Sequence, residues 1–400
     1  MKKKVMVLGG TYWQIPLIEK LHKRGCYVIC VSPQEDSPAF SYSDECVIGD
    51  ILDRNRLVEI AKEKEIDAVM SEQCDIATPS IAYVAKRLGQ TNISEEMAEL
   101  YTNKYRMREF LEKEGFYYPE FKKCYNLSEA IEFFRCLGSK MVIKPLDSNS
   151  SRGVYTVHTE EELEQIWEES ISFSKVEKAV ICERFLTGTE FTIDGIVTKT
   201  GHHSLAISKK EHFSFNENIA SSLFFSYKDD DYDYEELRRI NDCLVNKTGL
   251  QLGLTHAEYI NEKGKWYLVE IGCRGGGNLI SSHIVPMQSG VDNYEILISQ
   301  LLNEEYDDVD ENTLWKNKYS VLKFLDTEVN EGVVEDIIGV DELSKSSTVK
   351  VYKINYSIGD TVNLSDDSKR LGFYVADTDQ KDELTDLIKR IKSNVKLQIV

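Results

Sequence analysis

The chain has 400 residues, 42% apolar and 29% charged, with 68 acidic against 48 basic side chains and a formal net charge of -20. That length supports several domains with sizeable cores. So acidic a balance excludes a broad nucleic-acid or anionic-membrane surface, either of which needs basic patches. No apolar run reaches the roughly 20 residues of a membrane span. Met1-Lys2-Lys3-Lys4 leads into a short strand rather than the apolar core of a secretory leader. The nine cysteines are scattered with no C-x-x-C, and read as small core residues of a reduced, cytoplasmic protein.

In chain order, Val5–Leu8 is an apolar strand ending in Gly9-Gly10, and a helical pattern follows from Pro16 to Lys23. Strand Tyr27–Val31, helix Arg54–Lys64, strand Ala68–Met70 and helix Ile76–Leu88 continue the alternation, which implies a parallel sheet covered on both faces. Gly9-Gly10 lacks the G-x-G-x-x-G spacing that brings a pyrophosphate to a helix N-terminus, so it reads as a tight turn or, second, a substrate-contact loop. This first unit ends near Gln90–Ser94.

Asn103-Lys104 opens a helix that runs to Gly115, and Ser128 caps another ending at Gly138. Strand Met141–Lys144 ends on a lysine, and a loop rich in small residues, Leu146–Gly153, follows it. Serine hydroxyls and free amides between two strands suit a mobile cover over phosphates, with Lys144 neutralising charge beneath. The strand Ala179–Arg184 then runs into Phe185-Leu186, where Glu183 and the backbone after it offer an adenine edge and Glu190 can hold ribose hydroxyls. Residues 207–233 are expected to wrap over an acceptor pocket, with Lys209, Lys210 and His212 as anion contacts.

Leu254–Ile260 and Trp266–Ile271 flank a polar turn and read as a hairpin. Pairing them about Gly264 sets Glu258 opposite Glu270 on one face. Two carboxylates about 5 Å apart repel by roughly 3 kcal/mol at an effective dielectric of 20, so the pair needs a cation or is a slipped, solvent-facing edge pair. Magnesium takes one or two carboxylates plus substrate phosphates. Arg274 and then Gly275-Gly276-Gly277 follow, a fixed cation beside bare backbone. Beyond Leu302 an acidic connector leads to short strands, Ser320–Leu325, Val349–Tyr356 and Gly372–Ala376, and a last helix, Asp382–Ser393, in a small α+β lobe with no chemical constellation.

In this order the chain resembles the ATP-grasp superfamily, in particular its carboxylate–amine ligase branch that includes bacterial L-amino-acid (dipeptide) ligases, and more broadly the carbamoyl-phosphate-synthase-like proteins. The resemblance implies an α/β and α+β chain: a parallel Rossmann-like domain (1–94), a two-lobed ATP-grasp domain (95–305, lobes 117–180 and 181–305) and a C-terminal lobe (306–400) that closes the sheet and is the candidate contact of a homodimer. It implies ATP and Mg2+, with Mn2+ as the alternative ion. Lys104 and Lys144 match the phosphate-contacting lysines, and Ser148, Ser150, Ser151 and Gly153 belong to the flexible phosphate cover. Glu183, Arg184, Phe185 and Leu186 match the adenine hinge, and Glu190 the ribose carboxylate. Glu258 and Glu270 match the metal ligands, and Arg274 the arginine that steadies the transferred group. The family commonly has Glu-x-Asn before that arginine, where this chain has Glu270-Ile271-Gly272.

The reaction so implied joins a small-molecule carboxylate to an amine through an acyl phosphate, releasing ADP and phosphate. The rivals are a bicarbonate-using carboxylase or carbamoyl-phosphate-type enzyme, which carries a further glutamate base after the arginine, and an ATP-binding module that catalyses nothing.

Overall fold

The computed structural model describes residues 2–148, 152–175, 177–214, 216–325, 331–364 and 369–400. β1 (Lys4–Leu8), β2 (Tyr27–Ser32), β3 (Glu45–Ile48) and β4 (Ala68–Met70) form a parallel sheet in the order β3-β2-β1-β4. Helices α1 (Ile15–Lys23), α2 (Arg54–Lys64) and α3 (Thr78–Leu88) cover it. Val5 and Val7 pack with α1 on one face, while Met6 and Leu8 pack with α2 and α3 on the other. A strand buried on both sides must be apolar at every position, which is why β1 shows no alternation.

The helices α4 (Glu95–Thr102) and α5 (Lys104–Glu114) meet at Asn103, which ends the first and caps the second by accepting from the amides of Tyr105 and Arg106. This break puts Lys104 at the very start of α5. The strands β5 (Phe121–Cys124), β6 (Met141–Pro145), β7 (Tyr155–Val157) and β8 (Val180–Arg184) make an antiparallel sheet ordered β5-β8-β6-β7. Its core is shared with α6 (Leu127–Leu137) and α7 (Glu160–Ser172).

The largest sheet begins with β9 (Thr189–Thr198), β10 (Gly201–Phe213) and β11 (Asn216–Ser226), continues after helix α8 (Tyr234–Thr248) with β12 (Gly253–Glu262) and β13 (Lys265–Gly272), and is followed by α9 (Val285–Ser289) and α10 (Asn293–Leu302). The chain then forms β14 (Tyr319–Phe324), β15 (Glu331–Ile338), α11 (Asp341–Lys345), β16 (Val349–Ile354), β17 (Thr361–Asn363), β18 (Gly372–Thr378), α12 (Lys381–Asn394) and β19 (Lys396–Ile399). Three of these late strands extend the earlier ones into an eight-stranded sheet, β13-β12-β9-β10-β11-β14-β18-β16. β15, β17 and β19 pair among themselves. Residues 207–233 are therefore not a wrapping loop. Ser208–Phe213 and Asn216–Ser226 are paired strands in mid-sheet, held by β9 on one side and β14 on the other rather than by strand-forming residues of their own.

Helix α8 presses Leu237, Leu244 and Val245 onto Phe191, Ile193, Ala257 and Tyr259 of β9 and β12. Among the described residues no helix is long and apolar enough to cross a membrane. Leu244 is completely buried in this layer. Leu244→Ala should lower the unfolding free energy by about 2–5 kcal/mol, through lost transfer energy and the cavity left behind. The urea midpoint at constant m-value measures it.

Candidate functional site

A cavity of about 510 Å³ opens between the β5–β8 sheet and the strands β9–β13. Lys104, Lys144, Ser148, Glu183, Arg184, Phe185, Leu186, Glu190, Glu258 and Glu270 all line it. Gly153 does not: its backbone is left-handed at φ +73°, a Cβ there would meet Phe173 and Pro145, and its carbonyl accepts from Ser170. Ser150 and Ser151 lie outside the described residues. Arg274 lines a neighbouring cavity of about 380 Å³, which shares Lys210, Glu258 and Glu270 with the first.

Charge is arranged around fixed pairs. The hairpin register sets Glu258 opposite Glu270, and each carboxylate has a lysine of its own. Lys104 Nζ lies 2.9 Å from Glu270 and donates to the Ser148 carbonyl at 2.7 Å. Lys210 Nζ lies 3.3 Å from Glu258 and 2.5 Å from Glu190, and Glu190 also meets His212 at 2.9 Å. Burial pushes the Glu258 carboxyl up, but Lys210 and His256 outweigh it and hold the group well below the usual carboxylate range.

Glu183 borders the cavity, and both oxygens of its buried carboxylate are paired, one with Arg108 at 2.5 Å and the other with Lys144 at 2.7 Å. The side chain of Arg184 is likewise paired, with Glu120 and with the buried Glu262. Arg108 was not singled out by sequence, because a helical arginine gives no sign of facing inward. It is 1% exposed, and it also donates to the Val269 carbonyl at 2.6 Å, so it staples β8 to β13 beside Glu270.

The second cavity draws on both ends of the chain as well as on the large sheet. Trp13, Gln73 and Asp75 enter from the first ninety residues, and Leu322, Phe324, Asn355, Arg370 and Phe373 from beyond residue 302. The first three follow the carboxyl ends of β1 and β4, where open α/β sheets gather ligands, and that rule was the available signal. His256 also faces this space. Burial pulls its pKa down, but Asp194 at 3.0 Å and Glu258 carry it up to about 9. The glycine run is less bare than it reads. A Cβ at Gly275 would strike Ser281 and Glu72, and one at Gly276 would strike Asp194 and His256; only Gly277 has open space around it.

Burial raises the Glu183 pKa, yet Arg108 and Lys144 outweigh it and hold it at about 2, against a usual value near 4.5. A depressed carboxylate stabilises the fold above its unfolded pKa, and that stability is lost as pH falls from about 4.5 towards about 2. Arg108→Met should cost about 3 kcal/mol at neutral pH, because it strips a partner from a buried charge. That cost should shrink as pH falls from about 4.5 towards about 2, because the wild type loses the same pairing when Glu183 takes its proton. Circular dichroism across a pH series reads both effects.

Residues 137–282 match the ATP-grasp domain family, and residues 328–400 match the L-amino acid ligase C-terminal domain 2 family. A formate-dependent phosphoribosylglycinamide formyltransferase of Bacteroides fragilis is 27% identical over 203 residues, which is 50% of this chain and 52% of that protein. One from Nostoc sp. is 30% identical over 187 residues, 46% of this chain and 48% of that protein. The chain thus spans about half the length of these relatives. Among solved structures, the L-amino acid ligase from Bacillus licheniformis superposes over 100% of this chain and 99% of its own, with a TM-score of 0.83 at 20% identity. Phosphoribosylglycinamide synthetase from Anaerococcus prevotii superposes over 100% of both chains, with a TM-score of 0.76 at 18% identity. With its lysine- and carboxylate-lined cleft between two sheets and these two matches, the chain carries an ATP-grasp domain over residues 137–282 and an L-amino acid ligase C-terminal domain over residues 328–400.

Proposed function

We propose that this protein is an ATP-dependent carboxylate–amine ligase, working on small molecules through an acyl phosphate. The observation that carries the reading is the pair of abutting cavities. One holds the lysines and the adenine hinge, the other holds Arg274, and the two meet at Glu258 and Glu270. ATP would lie in the first cavity with its adenine against the backbone of Arg184–Leu186. Its γ-phosphate would then reach the junction, and a carboxylic acid the second cavity. Two facing carboxylates fit magnesium, which completes its shell with phosphate oxygens and water. Held by Glu258 and Glu270, the ion would neutralise phosphate charge.

The chain's own contribution is position and charge. Lys104 and Lys144 draw negative charge off the phosphates. The acid's carboxylate oxygen attacks the γ-phosphorus and ADP leaves. Arg274 steadies the transferred phosphoryl group. An amine nitrogen then attacks the acyl carbon, phosphate departs and the nitrogen loses a proton, leaving an amide. Trp13, Leu322, Phe324 and Phe373 line the acid's cavity with apolar surface, which favours an acid with a sizeable apolar side chain, an amino acid above all, over an anion as small as bicarbonate. The lack of a glutamate after Arg274 weighs the same way against a carboxylase.

A screen of acids with hydroxylamine in place of the amine should yield ADP and hydroxamate in equal amounts for at least one amino acid. Bicarbonate-dependent ADP release with no hydroxamate would establish the carboxylase instead, and tight ATP binding without turnover would establish the non-catalytic module. Glu270→Gln should reduce ADP release at least a hundredfold with an unchanged melting temperature, since it removes one of the two proposed magnesium ligands, relieves the repulsion with Glu258 and leaves the hairpin intact. Wild-type turnover in that variant would remove Glu270 from the site.

A further inference from the structure

The loop after β4 reaches across 199 residues of sequence to grip the segment that carries Arg274. Glu72, 3% exposed, accepts from the Gly275 amide at 2.9 Å. Gln73 accepts from the Leu279 amide at 3.1 Å. Asp75 accepts from Arg274 twice, at 2.8 Å from both Nε and Nη2. The loop leaves a mark at position 272. A Cβ built on Gly272 would lie 2.8 Å from Asp75 Oδ1, closer than real Cβ atoms come, so a side chain there would displace this carboxylate.

We propose that Asp75 is a positioning residue for the reaction, fixing the guanidinium of Arg274 so that its remaining N–H groups face the transferred phosphoryl group. An arginine has five donors in a rigid planar fork, and a carboxylate that takes two of them on one side sets the plane of the rest. Here Nε and Nη2 go to Asp75, and Nη1 donates to the Gly275 carbonyl at 2.9 Å. The other donors on Nη1 and Nη2 point away from that grip, and the side chain borders the cavity that contains Glu258 and Glu270. Without Asp75 the guanidinium keeps its charge and its place in the chain but loses its orientation. Because orientation acts on the transition state more than on bound nucleotide, the effect belongs in kcat rather than in the KM for ATP.

The inference rests on the ligase reading only through the role of Arg274 towards the phosphoryl group. Its test therefore uses a mimic of that group that needs no acid. Isothermal titration would measure Mg-ADP binding to the purified protein with and without aluminium fluoride. In wild type, aluminium fluoride should tighten binding. In Asp75→Ala and Asp75→Asn, that gain should shrink at least tenfold while ADP alone binds within twofold of wild type. Gly272→Ala, which displaces the carboxylate without removing it, should do the same. In an Arg274→Met background, Asp75→Ala should cost nothing further. Where the acid screen supplies a substrate, kcat should fall about tenfold to a hundredfold with the KM for ATP unchanged. A full aluminium fluoride gain in the Asp75 variants overturns the proposal. So does a parallel loss of ADP affinity, or a further loss in the Arg274→Met background, because either shows that Asp75 acts on the fold or elsewhere. A wild type that gains nothing from aluminium fluoride also overturns it. Acid-dependent ADP release, measured separately, decides the ligase reading.

Discussion

Two carboxylates on adjacent strands are the constraint around which this structure is arranged. Glu258 and Glu270 face each other because the hairpin register shifts by one residue at a bulge between Glu258 and Tyr259, and side chains directly opposite in a strand pair share a face. Left alone they would repel, so positive charge must be close by. Lys104 comes to one from the first turn of a helix, and Lys210 to the other from β10, across the intervening β9. Both lysines border the cavity where phosphate charge would lie. The same groups that quiet the carboxylates are thus placed to receive an anion.

Each cation is held by structure at a distance from the hairpin. Asn103 breaks two helices so that Lys104 begins the second. Glu183, buried between Arg108 and Lys144, fixes one lysine and, through the Arg108 contact to the Val269 carbonyl, ties the small sheet to the strand bearing Glu270. Arg274 is anchored from the first domain by Asp75. A buried charge is tolerable only when paired and hydrogen-bonded, which makes these contacts expensive to break and so keeps the cleft's walls in register.

The glycines of the Arg274 segment illustrate how local chemistry serves this arrangement. Gly275 and Gly276 let Glu72 and Asp194 reach their amides, and Gly272 admits Asp75. A side chain at any of them would push a carboxylate out of place. The turn that follows holds Asn278 and Leu279 at φ of 53° and 66°, a conformation uncommon for residues other than glycine. Asn278 borders the second cavity, so the strained turn shapes the wall facing a substrate.

Much of this was legible in the amino-acid order. Alternating strands and helices to residue 88 declare a parallel sheet, and the hairpin about Gly264 is legible too, since local periodicity and turn chemistry act over a few residues. But the turn pairs Glu262 with Lys265, and it is the bulge between Glu258 and Tyr259 that brings Glu258 opposite Glu270. Lysines at a helix start and a strand end could be ordered along the chain as a phosphate site. What tertiary structure alone decided are the long-range pairings. Residues 208–226 became central strands only because β9 and β14 flank them, and strands beyond residue 318 joined the same sheet. Arg108 and Asp75 carry no motif, and their partners lie 75 and 199 residues away. A side chain's type and spacing state what it can bind. Which carboxylate meets which cation depends on how separate elements pack, and no local pattern encodes that.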